Sequence, residues 1–313
     1  MEIAHFRAMG SQMGIWLDCS PAIATSLFAQ AQTWFENWNA RFSRFSPTSE
    51  LSLLNAQGHA VVSDEFWQVL EIADQAVRES DGLFNPLVLN AVQAVGYQSS
   101  WSPNHAPIHL APSQPAAPLV AWERGIHRDP KTQEVWLAEG QALDLGGIVK
   151  SWAADTACQR LTAFAPCLVN AGGDIAAGRV LQNGSWWPVG LVNPFQPEKD
   201  LLMVAVSRQG VATSGRDLRQ WQLNGAAKHH IIDPRTGDSA ATDILSVSVV
   251  ADTTRQAETA ARSVLILGSQ AGMAWLSRKP HLAALVVLAD STILMTENFR
   301  AHLLQTLTQE TVL

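Results

Sequence analysis

Cysteine is scarce in this chain: Cys19, Cys158 and Cys167 are all there are in 313 residues, an odd number with no CxxC spacing. That excludes a disulfide framework and a cysteine-built metal site, and it favours a reducing compartment. Cys158 and Cys167 sit among apolar neighbours and read as core residues. Long apolar runs are missing as well; nothing approaches the ~20 residues that span a bilayer. Met1 to Arg7 carry neither the basic cluster nor the apolar stretch of a signal peptide, so the expectation is a cytoplasmic protein without a membrane span. Positive charge is also in deficit. A net charge of −7 excludes broad nucleic-acid binding, which needs a basic face, although a local group of cations can still hold a small anion. Charged residues are only 16% against 47% hydrophobic, the balance of a well-packed globular chain.

There is no internal repeat. Strand-like runs at 133–138, 167–171, 186–193, 201–207, 228–232, 244–250 and 282–297 alternate with a few long helical patterns, without regular βαβ spacing. This favours an α+β fold, a mixed or antiparallel sheet core with flanking helices, as a single domain over residues 1–313. Gly10 and Gly14 suggest a bent strand or hairpin in the first 18 residues. From Pro21 to Phe42 the apolar positions Ile23, Leu27, Ala31, Trp34 and Trp38 recur at helical spacing, with Pro21 allowed in the first turn. Further helices are expected over 49–55, 63–80, 148–164 and 254–267. Five prolines between residues 101 and 118 predict a surface excursion at about 98–118, with His105 and His109 solvated. The twelve tryptophans read mostly as core, with Trp186 and Trp187 on opposite sides of a strand.

Chemistry concentrates in three segments. Lys228-His229-His230-Ile231-Ile232-Asp233-Pro234-Arg235-Thr236-Gly237 joins imidazoles, a carboxylate and cations to a Pro/Gly turn. His230 reads either as a base poised near neutrality or as a histidine satisfied by a turn carboxylate such as Asp233. Asp144-Leu145-Gly146-Gly147-Ile148-Val149-Lys150 puts two glycines at a helix start, where free N–H groups suit a phosphate and Lys150 adds a point charge. A plain strand-to-helix turn explains it equally well. Asn170-Ala171-Gly172-Gly173-Asp174 again sets an acid beside glycines. Thr213-Ser214-Gly215-Arg216 offers hydroxyls and a cation, but a polar hairpin turn is its simpler reading.

Together these pieces resemble the FAD:protein FMN transferases of the ApbE family, in the family's order and over nearly the whole chain. The matching stretches are Met9-Gly10-Ser11, Ser49 to Asn55, Gly82-Leu83-Phe84-Asn85-Pro86, Asp144 to Lys150, Asn170 to Asp174, Thr213-Ser214-Gly215, His230 to Gly237 and the 257–268 helix. The resemblance implies that the chain cuts the pyrophosphate of FAD, moves FMN to a Thr or Ser of an acceptor protein and releases AMP, with Mg²⁺ as the ion. It implies an FAD site made by Met9, Phe84, Asn85, Asp144, Lys150, Thr213, Ser214 and Ile231, with Asn55 near the flavin and His230 in acid–base or phosphate-orienting work. An FAD pyrophosphatase or a non-catalytic FAD-binding protein remain as alternatives.

The sequence departs from the family where the ion should sit. Glu258 replaces an Asp and Arg262 replaces a Thr one turn later, leaving a backbone carbonyl near Gly147 and Glu258 as metal ligands. Asn85 stands where Asp is usual. Arg262 has no lone pair to offer a cation, so it is expected either to take the ion's place on the pyrophosphate or to pair with Glu258.

Overall fold

The hairpin β1 (Glu2–Ala8) and β2 (Ser11–Leu17) opens the chain, as its glycines suggested. Helix α1 (Pro21–Phe42) follows, then α2 (Glu50–Gln57), whose Ser49 hydroxyl accepts from the Ser52 N–H. The short β3 (His59–Val61) precedes α3 (Asp64–Glu79), capped in the same way by Ser63. After α4 (Leu89–Ala94) come α5 (Trp122–Gly125), β4 (Ile126–Asp129) and β5 (Glu134–Leu137). Helix α6 (Val149–Thr162) leads into β6 (Cys167–Ala171) and β7 (Asp174–Ala177). A long arm, β8 (Trp187–Asn193) and β9 (Gln196–Val206), precedes β10 (Gln209–Gly215). Two small hairpins follow: β11 (Gln220–Leu223) with β12 (Ala226–His229), and β13 (Ile232–Asp233) with β14 (Asp238–Ser239). The chain then runs through β15 (Ile244–Ala251), α7 (Thr254–Leu267), α8 (Ser269–Leu276), β16 (Ala283–Leu288) and β17 (Ile293–Met295). This computed structural model describes residues 1–98 and 117–304; the proline-rich excursion, with His105 and His109, lies outside the described residues except at its ends.

Eight strands form the central sheet in the order β1-β2-β6-β7-β10-β15-β16-β17, and every neighbouring pair is antiparallel. Because strand side chains alternate, one sheet sorts its apolar residues into two cores. Met13, Ile15, Val169, Ala212, Val249 and Val286 pack with the helices. Leu168, Val211, Val250 and Leu285 face the other way and pack under the β8–β9 arm. Trp187, the first residue of β8, is buried there, while Trp186 just before the strand is half exposed. Cys158 and Cys167 are both buried, with sulfurs 3.5 Å apart.

Three expectations need correction. The buried stripe of α1 is Ala24, Leu27, Ala31, Phe35, Trp38 and Phe42, so Ile23 lies off the core face while Trp34 packs against its margin, partly buried. The large aromatics at 35, 38 and 42 set the helix rotation, because they bury more area than Ile23 does. Residues 282–297 are two strands joined by a turn rather than one run. The segment Thr213–Gly215 is no hairpin turn: it ends β10, with Val211 opposite both Ile175 and Val250. Its hydroxyls do not break the strand because both are satisfied, Thr213 by Ser248 at 2.8 Å and Ser214 by Glu258 at 3.0 Å.

Candidate active site

Two tight turns fix one end of the sheet. Ala8 pairs with Ser11 and Ala171 with Asp174, so each hairpin loop has only two residues. Met9 and Gly10 have φ of +50° and +69°, Gly172 and Gly173 +69° and +102°, the positive pair that matches the twist of hairpin strands. Met9 holds this conformation without being glycine, at a cost of order 1 kcal/mol, while its N–H donates to Asn39 Oδ1 at 3.1 Å. A methyl group on Gly172 would fall 2.6 Å from the Ser11 Cβ, so the two turns lie against each other. Strand β10 ends, β15 begins and α6 starts at this same edge.

A cleft of ≈ 660 Å³ opens there, within the size range of small-molecule sites. Met9, Phe84, Asn85, Asp144, Gly147, Lys150, Thr213, Ser214, His230, Glu258 and Arg262 all line it, so residues some 250 positions apart converge as expected. Asn55 and Ile231 do not line it. The Asn55 amide donates to the Leu143 carbonyl at 2.9 Å and accepts from the Leu143 N–H at 2.7 Å, clamping the loop before Asp144. Ile231 is fully buried in the core beside α7; its N–H donates to His229 and its carbonyl accepts from Ala240. Both residues support the site from behind. Asn85 lines the cleft, yet its amide is engaged with the Val120 carbonyl and the Leu87 N–H.

The polar groups form linked pairs. Lys150, in the first turn of α6, donates to Asp174 Oδ2 at 3.2 Å. Burial raises the Asp174 carboxyl to about 6 even though Lys150 pulls it down, and the charge of Glu258 adds to the rise. Glu258 is almost fully buried on α7. Its Oε1 accepts from Arg262 Nη2 at 2.6 Å and its Oε2 from the Ser214 hydroxyl at 3.0 Å. The two histidines divide cleanly. His229 is a satisfied core residue, with Nε2 3.0 Å from the Ala240 carbonyl and Nδ1 accepting from the Ile231 N–H. His230 lines the cleft, and its Nδ1 is buried without a partner. Asp233 does not satisfy His230, because its carboxylate is forked by Arg235. Burial, then the charges of Arg219 and Arg262, hold His230 well below the ordinary histidine pKa, so it is neutral at pH 7.

The Mg²⁺ implied by the resemblance does not fit this donor set. Both oxygens of Glu258 are committed, one to a guanidinium. Arg262 fills the space between Glu258 and Gly147: a methyl group on Gly147 would lie 3.1 Å from the Arg262 Cζ and Nη2. A +1 charge about 4 Å from a +2 ion repels it by roughly 8 kcal/mol at an effective dielectric near 20, a repulsion that the paired Glu258 carboxylate offsets in part. Among the described residues, no group of three or more His, Cys, Asp or Glu side chains is arranged to hold a metal. As arranged here, Glu258 pairs with Arg262, and Gly147 lies against the same guanidinium.

Sequence reasoning missed Arg44 and gave Asp174 no role of its own. Arg44 Nε lies 3.2 Å from Asp144 Oδ2, with its guanidinium over the rings of Phe45 and Tyr97 at 4.3 and 4.7 Å. Nothing local marks an arginine just past a helix as a partner for an acid a hundred residues away. Asp174 did carry a signal, an acid directly after two glycines.

With this geometry in hand, the likenesses to known proteins agree with it. The ApbE family model matches residues 9–286. The chain is 33% identical over 262 residues to the FAD:protein FMN transferase of Treponema pallidum, covering 78% of this chain and 72% of that one. It is 29% identical over 283 residues to the protein of the same name from Chlamydia trachomatis, covering 85% and 84%. The fold superposes on the ApbE protein of Thermotoga maritima with a TM-score of 0.81 at 22% identity, over 96% of this chain and 98% of that one. The flavin transferase ApbE of Vibrio cholerae gives 0.77 at 20% identity, over 96% and 99%. This chain belongs to the ApbE family.

Proposed function

We propose that this protein is an FAD:protein FMN transferase, working as one domain and carrying FMN to a Thr or Ser hydroxyl of an acceptor protein. The observation that carries the reading is the cleft at the sheet edge, where Lys150, Arg262 and the unpartnered Nδ1 of His230 meet the Met9 turn and the Gly172–Gly173 turn. Cations in a partly buried site suit a diphosphate, and relatives 33% and 29% identical to this chain carry that activity in their names.

In the proposed step the acceptor oxygen bonds to the FMN-side phosphorus while the bond from that phosphorus to the bridging oxygen breaks. AMP departs with the bridging oxygen, and the acceptor keeps FMN as a phosphoester. The hydroxyl proton passes to His230 Nδ1 and from there to the AMP phosphate or to water. A loose phosphoryl-transfer transition state keeps that proton until late, so a neutral imidazole of low basicity suffices. Lys150 and Arg262 hold the equatorial oxygens, and Asp174 and Glu258 hold those two cations in place.

The test is to incubate the protein with FAD and an acceptor domain bearing a Thr/Ser flavinylation site. AMP is followed by chromatography and the acceptor by intact mass. Equal molar AMP and flavinylated acceptor are expected. FMN and AMP formed at the same rate without acceptor would make the protein a pyrophosphatase instead, and intact FAD after long incubation would make it a carrier.

A further inference from the structure

Arg262 is placed as part of a built site. Its guanidinium is held by Glu258, one turn earlier on α7, which accepts from Nη2 at 2.6 Å, and Ser214 of β10 fixes that carboxylate in turn. Against it lies Gly147, whose missing side chain leaves room for the planar group. Of its nitrogens, Nε is buried with no partner. The other orphaned nitrogen of the cleft, His230 Nδ1, is also buried and unpartnered, and Arg262 is among the charges that depress that histidine. Both nitrogens belong to residues that line the cleft, and unsatisfied buried nitrogens are costly unless a ligand or a small side-chain adjustment supplies acceptors, as phosphate oxygens would.

We propose that Arg262 is a built-in cation for the dinucleotide diphosphate, so that this chain binds FAD and cleaves it without a divalent metal ion. The proposal rests on the flavin-transferase reading and adds a metal-free form of it. A guanidinium stays charged at every physiological pH and presents its donors in a fixed fork, which suits two oxygens of a diphosphate. Glu258 orients that fork rather than ligating an ion. In the transfer step the electron pair of the breaking P–O bond goes to the bridging oxygen of AMP. Arg262 compensates the negative charge that develops there.

The experiment compares wild type, R262K and R262T in EDTA and in excess Mg²⁺. FAD and riboflavin affinities are read by flavin fluorescence, AMP by chromatography, and folding by thermal melts. Wild type is expected to bind FAD equally and to release AMP within about twofold in both conditions. R262T is expected to lose FAD affinity by about 10- to 100-fold, the size of a lost charge-assisted hydrogen bond. It should keep riboflavin binding, because riboflavin has no phosphate, and that separates a lost phosphate contact from a damaged fold. R262K, a point charge without the fork, should fall between. Loss of wild-type AMP release in EDTA with full recovery in Mg²⁺ would overturn the proposal, as would an R262T that binds FAD normally in EDTA. If no variant forms AMP under any condition but FAD affinity still depends on Arg262, the cation role stands and the transferase reading fails.

Discussion

Arginines and carboxylates gather in two places on this molecule, and they are treated in opposite ways. In a groove beside α1, Arg41 and Arg160 meet Glu50 and Glu65, with Arg160 lying over Trp34 and Trp38 at 5.0 and 5.3 Å. Glu65 also accepts from the Trp38 indole, and Glu50 from the backbone and hydroxyl of Ser63. These groups are partly exposed and complete one another. In the cleft the pairs Lys150–Asp174 and Arg262–Glu258 are far more buried. Among the described residues four buried side-chain atoms have no partner, and two of them, His230 Nδ1 and Arg262 Nε, belong to residues that line the cleft while none belongs to the groove. Charge clustering alone does not mark a site. Burial with unspent donors does.

The sharpest way to break this contrast is to remove Lys150. K150A withdraws one diphosphate contact and leaves Asp174 buried without its cation, so FAD affinity should fall by about 100-fold, at the upper end for a charged hydrogen bond. If the pair acts as a unit, D174N added to K150A should cost clearly less than the sum of the two single changes. Additive losses in fluorescence titrations would show that the two residues act separately.

Asp174 also ties the cleft to pH. Its folded carboxyl titrates near 6, against 3.8 for a free one. Between those values the folded state holds a proton that the unfolded chain has lost, so the stability this group contributes is full at low pH. It is lost as pH rises through 6. The shift corresponds to about 3 kcal/mol. Urea unfolding of wild type and D174N from pH 4 to 7 should show the difference curve falling with pH; a flat difference would remove Asp174 as the cause. A smaller effect is expected from G147A. Its methyl group would lie 3.1 Å from the Arg262 guanidinium and 3.2 Å from Phe84, forcing a shift of a few tenths of an ångström. FAD affinity should drop by several-fold while riboflavin affinity stays.

Much of this site could be read before any fold was known, and what could not has identifiable causes. Helices α1 and α3 were legible because apolar spacing and, for α3, the Ser63 cap are local signals, and α6 because it follows the Gly146-Gly147 pair. The Glu258–Arg262 pairing was legible because a spacing of four puts both on one helix face. The Met9 and Gly172–Gly173 turns matched a family pattern, but their contact across the sheet edge depends on strand order, which the sequence does not state. Strand β10 was hidden because two hydroxyls and a glycine look like a turn until Ser248 and Glu258 arrive from elsewhere to satisfy them. Asn55 and Ile231 were misplaced for a related reason. Sequence shows that a polar or apolar residue is wanted there, but not whether it faces the ligand or the loop that holds it.

The groove supplies the control. E65Q keeps an acceptor for the Trp38 indole and nearly the same shape, and removes one negative charge from beside Arg41 and Arg160. Partly exposed ion pairs contribute little because water screens them and both side chains lose freedom to form them. Stability should therefore change by less than about 1 kcal/mol, and less still at high salt. FAD affinity should not move at all. Should E65Q weaken FAD binding as K150A does, the groove would be coupled to the cleft through α1. The line from Trp38 to Trp152, whose rings lie 5.0 Å apart, and on along α6 to Lys150 would be the path to examine.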